Sequence, residues 1–100
     1  MKLNKEFDSI RIWAEEKGIL RNGDAKTQCI KLFEEAGELS KSILKEDEEE
    51  FIDAIGDCVV VLTNLAALKG YKIEDCINSA YQVIKNRTGK MENGTFKKDV

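Results

Sequence analysis

The chain contains no histidine and no proline. Without histidine it lacks the commonest general base at neutral pH and the usual nitrogen ligand of zinc, copper and non-haem iron. Di-iron carboxylate bundles are excluded for the same reason, because their E-x-x-H motifs need histidine. Any chemistry must therefore use carboxylates, lysine or a bound metal ion.

An excess of basic charge is also missing, since 16 Lys and Arg stand against 19 Asp and Glu. This balance disfavours a nucleic-acid polymer as partner, because such proteins neutralise phosphates with a basic surface. The longest unbroken apolar run, residues 58–62, is far shorter than the ~20 residues that span a bilayer, and the first residues do not resemble a signal peptide. We therefore expect a cytoplasmic protein without a membrane partner.

Cysteine is scarce, and its three occurrences do not form a metal-binding pattern. They lie far apart in sequence, have no C-x-x-C spacing and fall on predicted apolar helix faces. We expect buried, reduced thiols at Cys29, Cys58 and Cys76.

Glycine and the apolar residues are spaced as in an all-α chain, and 100 residues fit one domain, residues 1–100. Gly18 and Gly70 fall where helices should stop. The polar remainder, residues 90–100, contains the turn signal Asn93-Gly94 and predicts a short hairpin or a flexible tail. The predicted helices cover residues 4–17, 25 to 44 or 45, 47–70 and 73 to about 89.

The third predicted helix is the longest and should be the most buried. Asp47 precedes Glu50 by three residues, which is the spacing of a capping box with Asp in place of Ser or Thr. Apolar residues then surround the whole helix, and four helices of one chain would leave part of it wet. We therefore expect a homodimer or homotetramer that associates through its helices.

Two acidic clusters lie on the second and third predicted helices. The first has the pattern E-E-x-x-E at residues 34–38, and the second contains Asp53 and Asp57. Because residues three or four apart share a helix face, Glu35 pairs with Glu38, and Asp53 with Asp57. Magnesium and manganese prefer oxygen ligands, and magnesium usually binds a few carboxylates together with substrate phosphates. The clusters predict a Mg²⁺ site, with Mn²⁺ as a substitute, that serves phosphate chemistry.

Asp57 is the most telling of these acids, because the apolar run of residues 58–62 follows it at once. We expect that segment to be enclosed, and a carboxylate removed from water must be paired, hydrogen-bonded or metal-bound. Asn64, two turns further along, lies about 20° from Asp57 and continues the polar line into the apolar segment. A buried ion pair is the alternative, although the neighbouring lysines, Lys31 among them, do not share the direction of the carboxylates on their helix.

These residues resemble the all-α nucleoside triphosphate pyrophosphohydrolases, the MazG-like superfamily that includes dimeric dUTPases, dCTP pyrophosphatases and phosphoribosyl-ATP pyrophosphohydrolase. That superfamily carries E-E-x-x-E on one helix and E-x-x-D on the next, which residues 34–38 and the end of the second motif at Asp57 fit. The resemblance is nearly full-length and implies a four-helix MazG-like bundle. Further segments that resemble the small stand-alone proteins of bacteria and phages are residues 13–18, 84–91 and 93–96.

Two departures from the family pattern bear on the site. The glutamate expected three residues before Asp57 is Ala54 here, and Asp53 lies about 40° from Asp57 on the helical wheel, so it is our candidate for the fourth carboxylate. The lysine often seen four residues before the family's Asn-Arg pair is Gln82. Phosphate contacts are then expected from Lys85, Arg87 and Lys90.

The resemblance implies that water attacks between the α and β phosphates of a nucleoside triphosphate and releases the monophosphate and pyrophosphate. Glu34 is placed to hold the attacking water, and the alternative is a surface salt bridge with Lys31 or Lys41. The expected catalytic residues are Glu34, Glu35, Glu38 and Asp57, and the expected metal ligands are Glu35, Glu38, Asp53 and Asp57.

Candidate substrate contacts lie at both ends of the chain. Asn86 and Arg87 are expected to bind phosphate or sugar, with helix capping as the alternative, and Trp13 is expected to stack on the base, with plain core packing as the alternative. The competing function is a non-catalytic helical oligomer that binds metal or nucleotide, or whose acids merely face solvent. The sequence leaves open which nucleotide is the substrate.

Overall fold

A computed structural model describes residues 4–99 of the chain. In this part the helices α1 to α5 cover Asn4–Glu16, Ile19–Asn22, Ala25–Leu44, Glu48–Leu68 and Ile73–Ile84. Two antiparallel strands, β1 and β2, follow at Gly89–Glu92 and Thr95–Lys98. The expected all-α class is confirmed, and Asn93-Gly94 forms the turn of a short hairpin, both residues having a positive φ.

The first and last predicted helices differ from the observed ones. Gly18, with φ 76°, ends α1, and the next four residues form the separate turn α2, which the sequence analysis did not predict. The last helix ends at Ile84 rather than near residue 89. Thr88 is instead held by the hairpin, because its carbonyl accepts from the Asp99 N–H and its hydroxyl donates to the Asp99 carboxylate at 2.8 Å.

Aspartate side chains fix the starts of the two long helices. Asp24 accepts a hydrogen bond from the Thr27 N–H at 2.9 Å and begins α3, and Asp47 accepts from the Glu50 N–H at 3.1 Å and begins α4. Each satisfies a backbone donor that has no partner within its helix. The predicted N-cap at Asp47 is confirmed, and only three residues, 45–47, join the two helices.

The α3–α4 hairpin is the centre of the fold, and α1, α2 and α5 pack on α4. The buried apolar side chains of the described residues are Phe7, Ala14, Ala54 and Val61. By length and composition alone α4 resembles a membrane-crossing helix, but the core helix of a soluble protein has the same features. Four helices pack against it, but part of its apolar surface, Ile52 among it, stays exposed.

The three- and four-residue spacing of apolar residues predicts an inner stripe on α3 that includes Phe33 and Ile43, and an inner face of α5 made of Ile73, Cys76, Ile77, Ala80 and Ile84. Most of these residues are exposed. Phe33 is 74% exposed and Ile43 58%, and most of the predicted inner face of α5 is also exposed. The prediction of buried thiols is wrong for Cys29 and Cys76, which are exposed, while Cys58 is half-buried. The physical reason is that, within residues 4–99, no other element covers these faces of α3 and α5. Leu3, which was expected on the inner face of the first helix, lies outside the described residues.

One ion-pair cluster ties α1 to α5. The Arg11 guanidinium donates to both carboxylate oxygens of Glu74 at 2.6 Å and to Asp8 at 2.6 Å. The side chains of Arg11 and Glu74 are only 17% and 22% exposed, so water screens this pair less than a surface pair. Hydrogen bonding from Arg11 lowers the pKa of Glu74 to about 2, and Glu74 followed by Asp8 raises the pKa of Arg11.

We predict that Glu74→Gln lowers the free energy of unfolding by about 1 kcal/mol at neutral pH, since it removes a bidentate charged pair. The folded-state pKa of Glu74 lies below its ordinary value of 4.5, so the pair stabilises the fold above about pH 4.5 and this contribution is lost as the pH falls towards 2. Urea unfolding at neutral pH and at about pH 3 measures how much free energy of unfolding is lost on acidification. The variant should lose less than the unmodified chain. Glu16→Gln, an exposed control on α1, should change neither value, and equal behaviour of both variants would contradict the prediction.

Candidate functional site

A cleft of about 320 Å³ lies between the first two helices and the α3–α4 hairpin. Polar residues line the cleft together with an apolar floor that includes Val60 and Val61. A second cleft of about 370 Å³ adjoins it, and the two share Trp13, Asp57 and Val60. The main residues of the first cleft are Trp13 of α1, Ile19 of α2, Gln28, Lys31 and Glu35 of α3, and Asp57 and Asn64 of α4.

The antiparallel hairpin explains how residues distant in sequence meet in this cleft. Glu35 lies nine residues before the end of α3, and Asp57 lies nine residues after the start of α4, so the two acids are level across the hairpin. Gln28 and Asn64 each lie sixteen residues from the same ends and are level in the same way. Seven residues, or two helical turns, separate the acid from the amide on each helix. The cleft thus has an acidic end and an amide end, about 10 Å apart.

The α3 side of the acidic end is already neutralised by a lysine. The Lys31 ammonium lies 3.3 Å from Glu35 and 3.3 Å from Glu34, and the Glu35 side chain is only 15% exposed. Hydrogen bonding with Glu34 and then Glu35 raises the pKa of Lys31. The expectation that Lys31 does not share the direction of the carboxylates is therefore wrong, because a residue four positions earlier lies on the same face. The predicted alternative for Glu34, a salt bridge with Lys31, is present.

The α4 acids are more open than the sequence suggests. Asp57 borders both clefts but is exposed, so the expectation of an enclosed carboxylate is wrong. The cause is that α1 and α2 leave the cleft open beside Trp13. Glu38 and Asp53 are also exposed and do not line the cleft, whereas Ala54, where the family pattern has glutamate, is 4% exposed.

The oxygen ligands of the cleft fit a magnesium ion that binds protein carboxylates and substrate phosphates together. Within residues 4–99, no group of three or more acidic or thiol side chains is placed to hold a metal ion by itself. Glu35 and Asp57 nevertheless offer two hard carboxylates to the same space, and magnesium commonly binds through one or two carboxylates, several waters and the phosphates of a substrate. The arrangement suits an ion that arrives with a phosphorylated ligand rather than one held in a closed protein cage.

The predicted substrate residues are divided between two regions. Trp13 lines the cleft, 44% exposed, with its ring available to a ligand. The basic residues lie elsewhere: residues 85–87 are exposed between α5 and the hairpin, and Lys90 of β1 lies 3.7 Å from Glu92. Within the described chain, the structure does not bring these residues to the cleft that contains Glu35 and Asp57.

The amide end of the cleft contains an unusual buried atom. Asn64 is 3% exposed, and among the described residues its Oδ1 is the buried side-chain oxygen or nitrogen that has no hydrogen-bond partner. The two other buried polar side chains are satisfied within their helices, since Ser42 donates to the Leu39 carbonyl at 2.6 Å and Thr63 to the Val59 carbonyl at 2.7 Å. Native structures seldom leave such an atom unpaired, which marks the amide end as a place where a hydrogen-bond donor would bind.

Sequence reasoning missed three polar lining residues, Thr27, Gln28 and Lys31. The sequence spacing could have identified Gln28. Seven residues separate Gln28 from Glu35, and seven residues also separate Asp57 from Asn64. Ile19 had no such signal, because its place over the cleft depends on α2.

Comparison with known proteins supports the family that the acidic clusters suggest. Residues 24–91 match the MazG nucleotide pyrophosphohydrolase domain. The chain belongs to this family. It is also 38% identical over 64 residues to the uncharacterized 18.2 kDa protein in the rep-hol intergenic region of Haemophilus phage HP1 (strain HP1c1). That alignment covers 64% of this chain and 39% of the relative. No solved structure matches the chain.

The MazG match includes both acidic clusters and the amide pair, and the family is one of nucleotide pyrophosphohydrolases. Two residues that border the cleft, Trp13 and Ile19, lie before the match begins. The part of the cleft contributed by α3 and α4 is therefore the MazG domain itself, and α1 and α2 add a wall to it.

We predict that Lys31→Met tightens Mn²⁺ binding roughly fivefold in the absence of nucleotide. The change removes a cation that occupies Glu35 and repels a second one. Titration calorimetry gives the affinity, and Lys41→Met, an exposed lysine on the same helix, should leave it unchanged. Unchanged or weaker binding by Lys31→Met would show that the ion does not use Glu35.

Proposed function

We propose that this chain hydrolyses a nucleoside triphosphate to the monophosphate and pyrophosphate with Mg²⁺ bound at the acidic end of the cleft, Mn²⁺ being a substitute. The observation that carries the proposal is that Glu35 and Asp57, one from each acidic cluster, are level across the α3–α4 hairpin and line the same cleft. Membership of the MazG family supports the reaction class.

In this proposal Glu35 and Asp57 would bind the ion together with the substrate phosphates. Glu38 and Asp53 are exposed and do not line the cleft, so they would have to turn towards it to add their carboxylates. A divalent ion bound there neutralises the triphosphate and makes a bound water more acidic. Water attacks the α-phosphorus, the bond from that phosphorus to the bridging oxygen breaks, and pyrophosphate leaves with the bridging oxygen. Glu34 pairs with Lys31 and does not line the cleft, so its proposed role of holding the attacking water and accepting its proton requires it to leave that pair.

The basic residues beyond α5 are proposed to contact the substrate from outside this cleft. Arg87 offers a planar guanidinium that matches phosphate oxygens, and Asn86 offers an amide for the sugar or phosphate. Lys85 and Lys90 would add positive charge beside them. Because these residues do not line the cleft of their own chain, their participation requires a second copy of the chain or closure on the substrate.

A second copy is also our proposal for the uncovered apolar faces of α3 and α4. Ile30 and Phe33 of α3 are 69% and 74% exposed, and Ile52 of α4 is 67% exposed. Monomeric soluble proteins rarely expose contiguous apolar surface of this kind. We propose a homodimer or homotetramer that packs these helices together.

A cytoplasmic location, without nucleic-acid or membrane partners, stays a prediction.

The hydrolase proposal predicts that Asp57→Asn lowers pyrophosphate release by at least about 100-fold, since it removes a charge that binds the ion. A panel of nucleoside triphosphates with Mg²⁺ is assayed for pyrophosphate. Glu49→Gln, an exposed acid in the first turn of the same helix, should keep full activity. Absence of turnover in the unmodified chain for the whole panel would favour the competing function, a non-catalytic helical oligomer.

The oligomer proposal predicts that Phe33→Glu reduces the molar mass in solution, because a charge in an apolar interface is costly. Light scattering after size-exclusion chromatography gives the mass. Met91→Glu, a similarly exposed apolar residue in the hairpin, serves as the control and should keep the oligomer. A monomeric unmodified chain at micromolar concentration would contradict the proposal.

A further inference from the structure

The buried amide of Asn64 is the feature of the cleft that the hydrolysis itself does not use. Its Oδ1 lacks a partner although the side chain is 3% exposed and lines the cleft. An unpaired buried carbonyl is unfavourable, whereas an apolar side chain of the same shape would avoid the penalty. A carbonyl in this position is consistent with a site built to receive a hydrogen-bond donor.

The distance from the acidic end indicates which part of a nucleotide reaches this atom. Asn64 lies two turns beyond Asp57, about 10 Å along α4, and both side chains line one cleft. With the phosphates held at the acidic end, the nucleoside extends along the cleft towards the amide end. Trp13 presents an aromatic side chain beside this path, on which a base can stack.

We propose that Asn64 selects the base of the nucleotide by accepting a hydrogen bond from the exocyclic amine of cytosine or adenine. The inference rests on the proposed function, because the acidic end sets the direction of the nucleotide. It deepens that function by naming an amino-bearing base as the substrate class. Asn64 is then a specificity-determining residue and takes no part in the bond cleavage.

The depth of Asn64 favours the exocyclic amine over other donors. The amines of cytosine and adenine project from the edge of the base farthest from the sugar, so they are the groups that reach the end of the cleft first. Asparagine pairs well with such bases, since its carbonyl accepts from the amine while its NH₂ donates to a ring nitrogen. Gln28, level with Asn64 on α3 and half-buried, is placed to satisfy a further polar atom of the base.

The chain provides its own binding probe, because Trp13 is its single tryptophan and lines the cleft. Fluorescence titrations use nucleoside monophosphates, which the enzyme cannot hydrolyse to pyrophosphate. Cytidine monophosphate is compared with pyrimidin-2-one riboside monophosphate, and adenosine monophosphate with purine riboside monophosphate. The two members of each pair differ only in the amine. Ribose 5-phosphate, which has no base, gives the background affinity.

We expect the unmodified chain to bind the amino-bearing member of at least one pair roughly 10- to 100-fold more tightly than its partner. Asn64→Leu should reduce this ratio to about one without weakening the binding of ribose 5-phosphate. The same variant should melt at the same or a higher temperature, because it removes an unpaired buried carbonyl. Asn78→Leu, the same change at an exposed site on α5, should keep the ratio.

Several results would overturn the inference. One is an unmodified chain that does not distinguish either pair, and another is an Asn64→Leu variant that keeps the ratio. A third is a variant that loses affinity equally for all ligands and melts at a lower temperature, since that marks a structural amide. If the leucine variant does not fold, the same ratio of affinities is measured in Asn64→Ser, a smaller polar substitution.

Failure of the proposed function gives a different pattern. A chain that binds amino-bearing nucleotides through Asn64 but releases no pyrophosphate from any triphosphate would retain this inference and lose the hydrolase. A chain that releases pyrophosphate at equal rates from all nucleotides, and does so unchanged in Asn64→Leu, would retain the hydrolase and lose the inference.

Discussion

The antiparallel pairing of α3 and α4 is the constraint on which the cleft depends. A connection of three residues fixes how the helices align, and the aspartate caps at Asp24 and Asp47 fix where each begins. Because these helix ends are fixed, residues of α3 and α4 that lie equally many positions from the connecting turn are at the same height along the hairpin. This alignment places Glu35 beside Asp57 and Gln28 beside Asn64, so two short acidic motifs become one site.

The same alignment separates two chemical tasks within the cleft. Charge is concentrated at one end, where Lys31 balances Glu34 and Glu35, and uncharged hydrogen-bonding groups lie two turns away. A nucleotide has the same division, with its charge in the phosphates and its hydrogen-bonding edge in the base. The apolar floor of valines and the wall formed by Trp13 suit the nucleoside between them.

Much of this arrangement was predictable from the sequence, because it rests on local signals. Helical spacing identified the acidic pairs and the polar line from Asp57 to Asn64, and capping and turn residues identified the N-cap at Asp47 and the turn at Asn93-Gly94. The signals failed where another element decides the outcome. The burial of Cys29, Cys76 and Phe33 depends on partners that cover α3 and α5, and periodicity cannot show whether they belong to the same chain. The salt bridge of Lys31 with Glu35 contradicts the expectation that Lys31 points away from the carboxylates, because residues four positions apart lie on the same helix face.

The central claim is that this cleft directs water to the α-phosphorus of a nucleoside triphosphate. Turnover of the preferred nucleotide in ¹⁸O-labelled water, followed by ³¹P NMR of the products, tests it directly. We predict that the label appears in the nucleoside monophosphate and that the pyrophosphate carries none. Label in pyrophosphate or in orthophosphate, or no turnover of any triphosphate, would contradict the account.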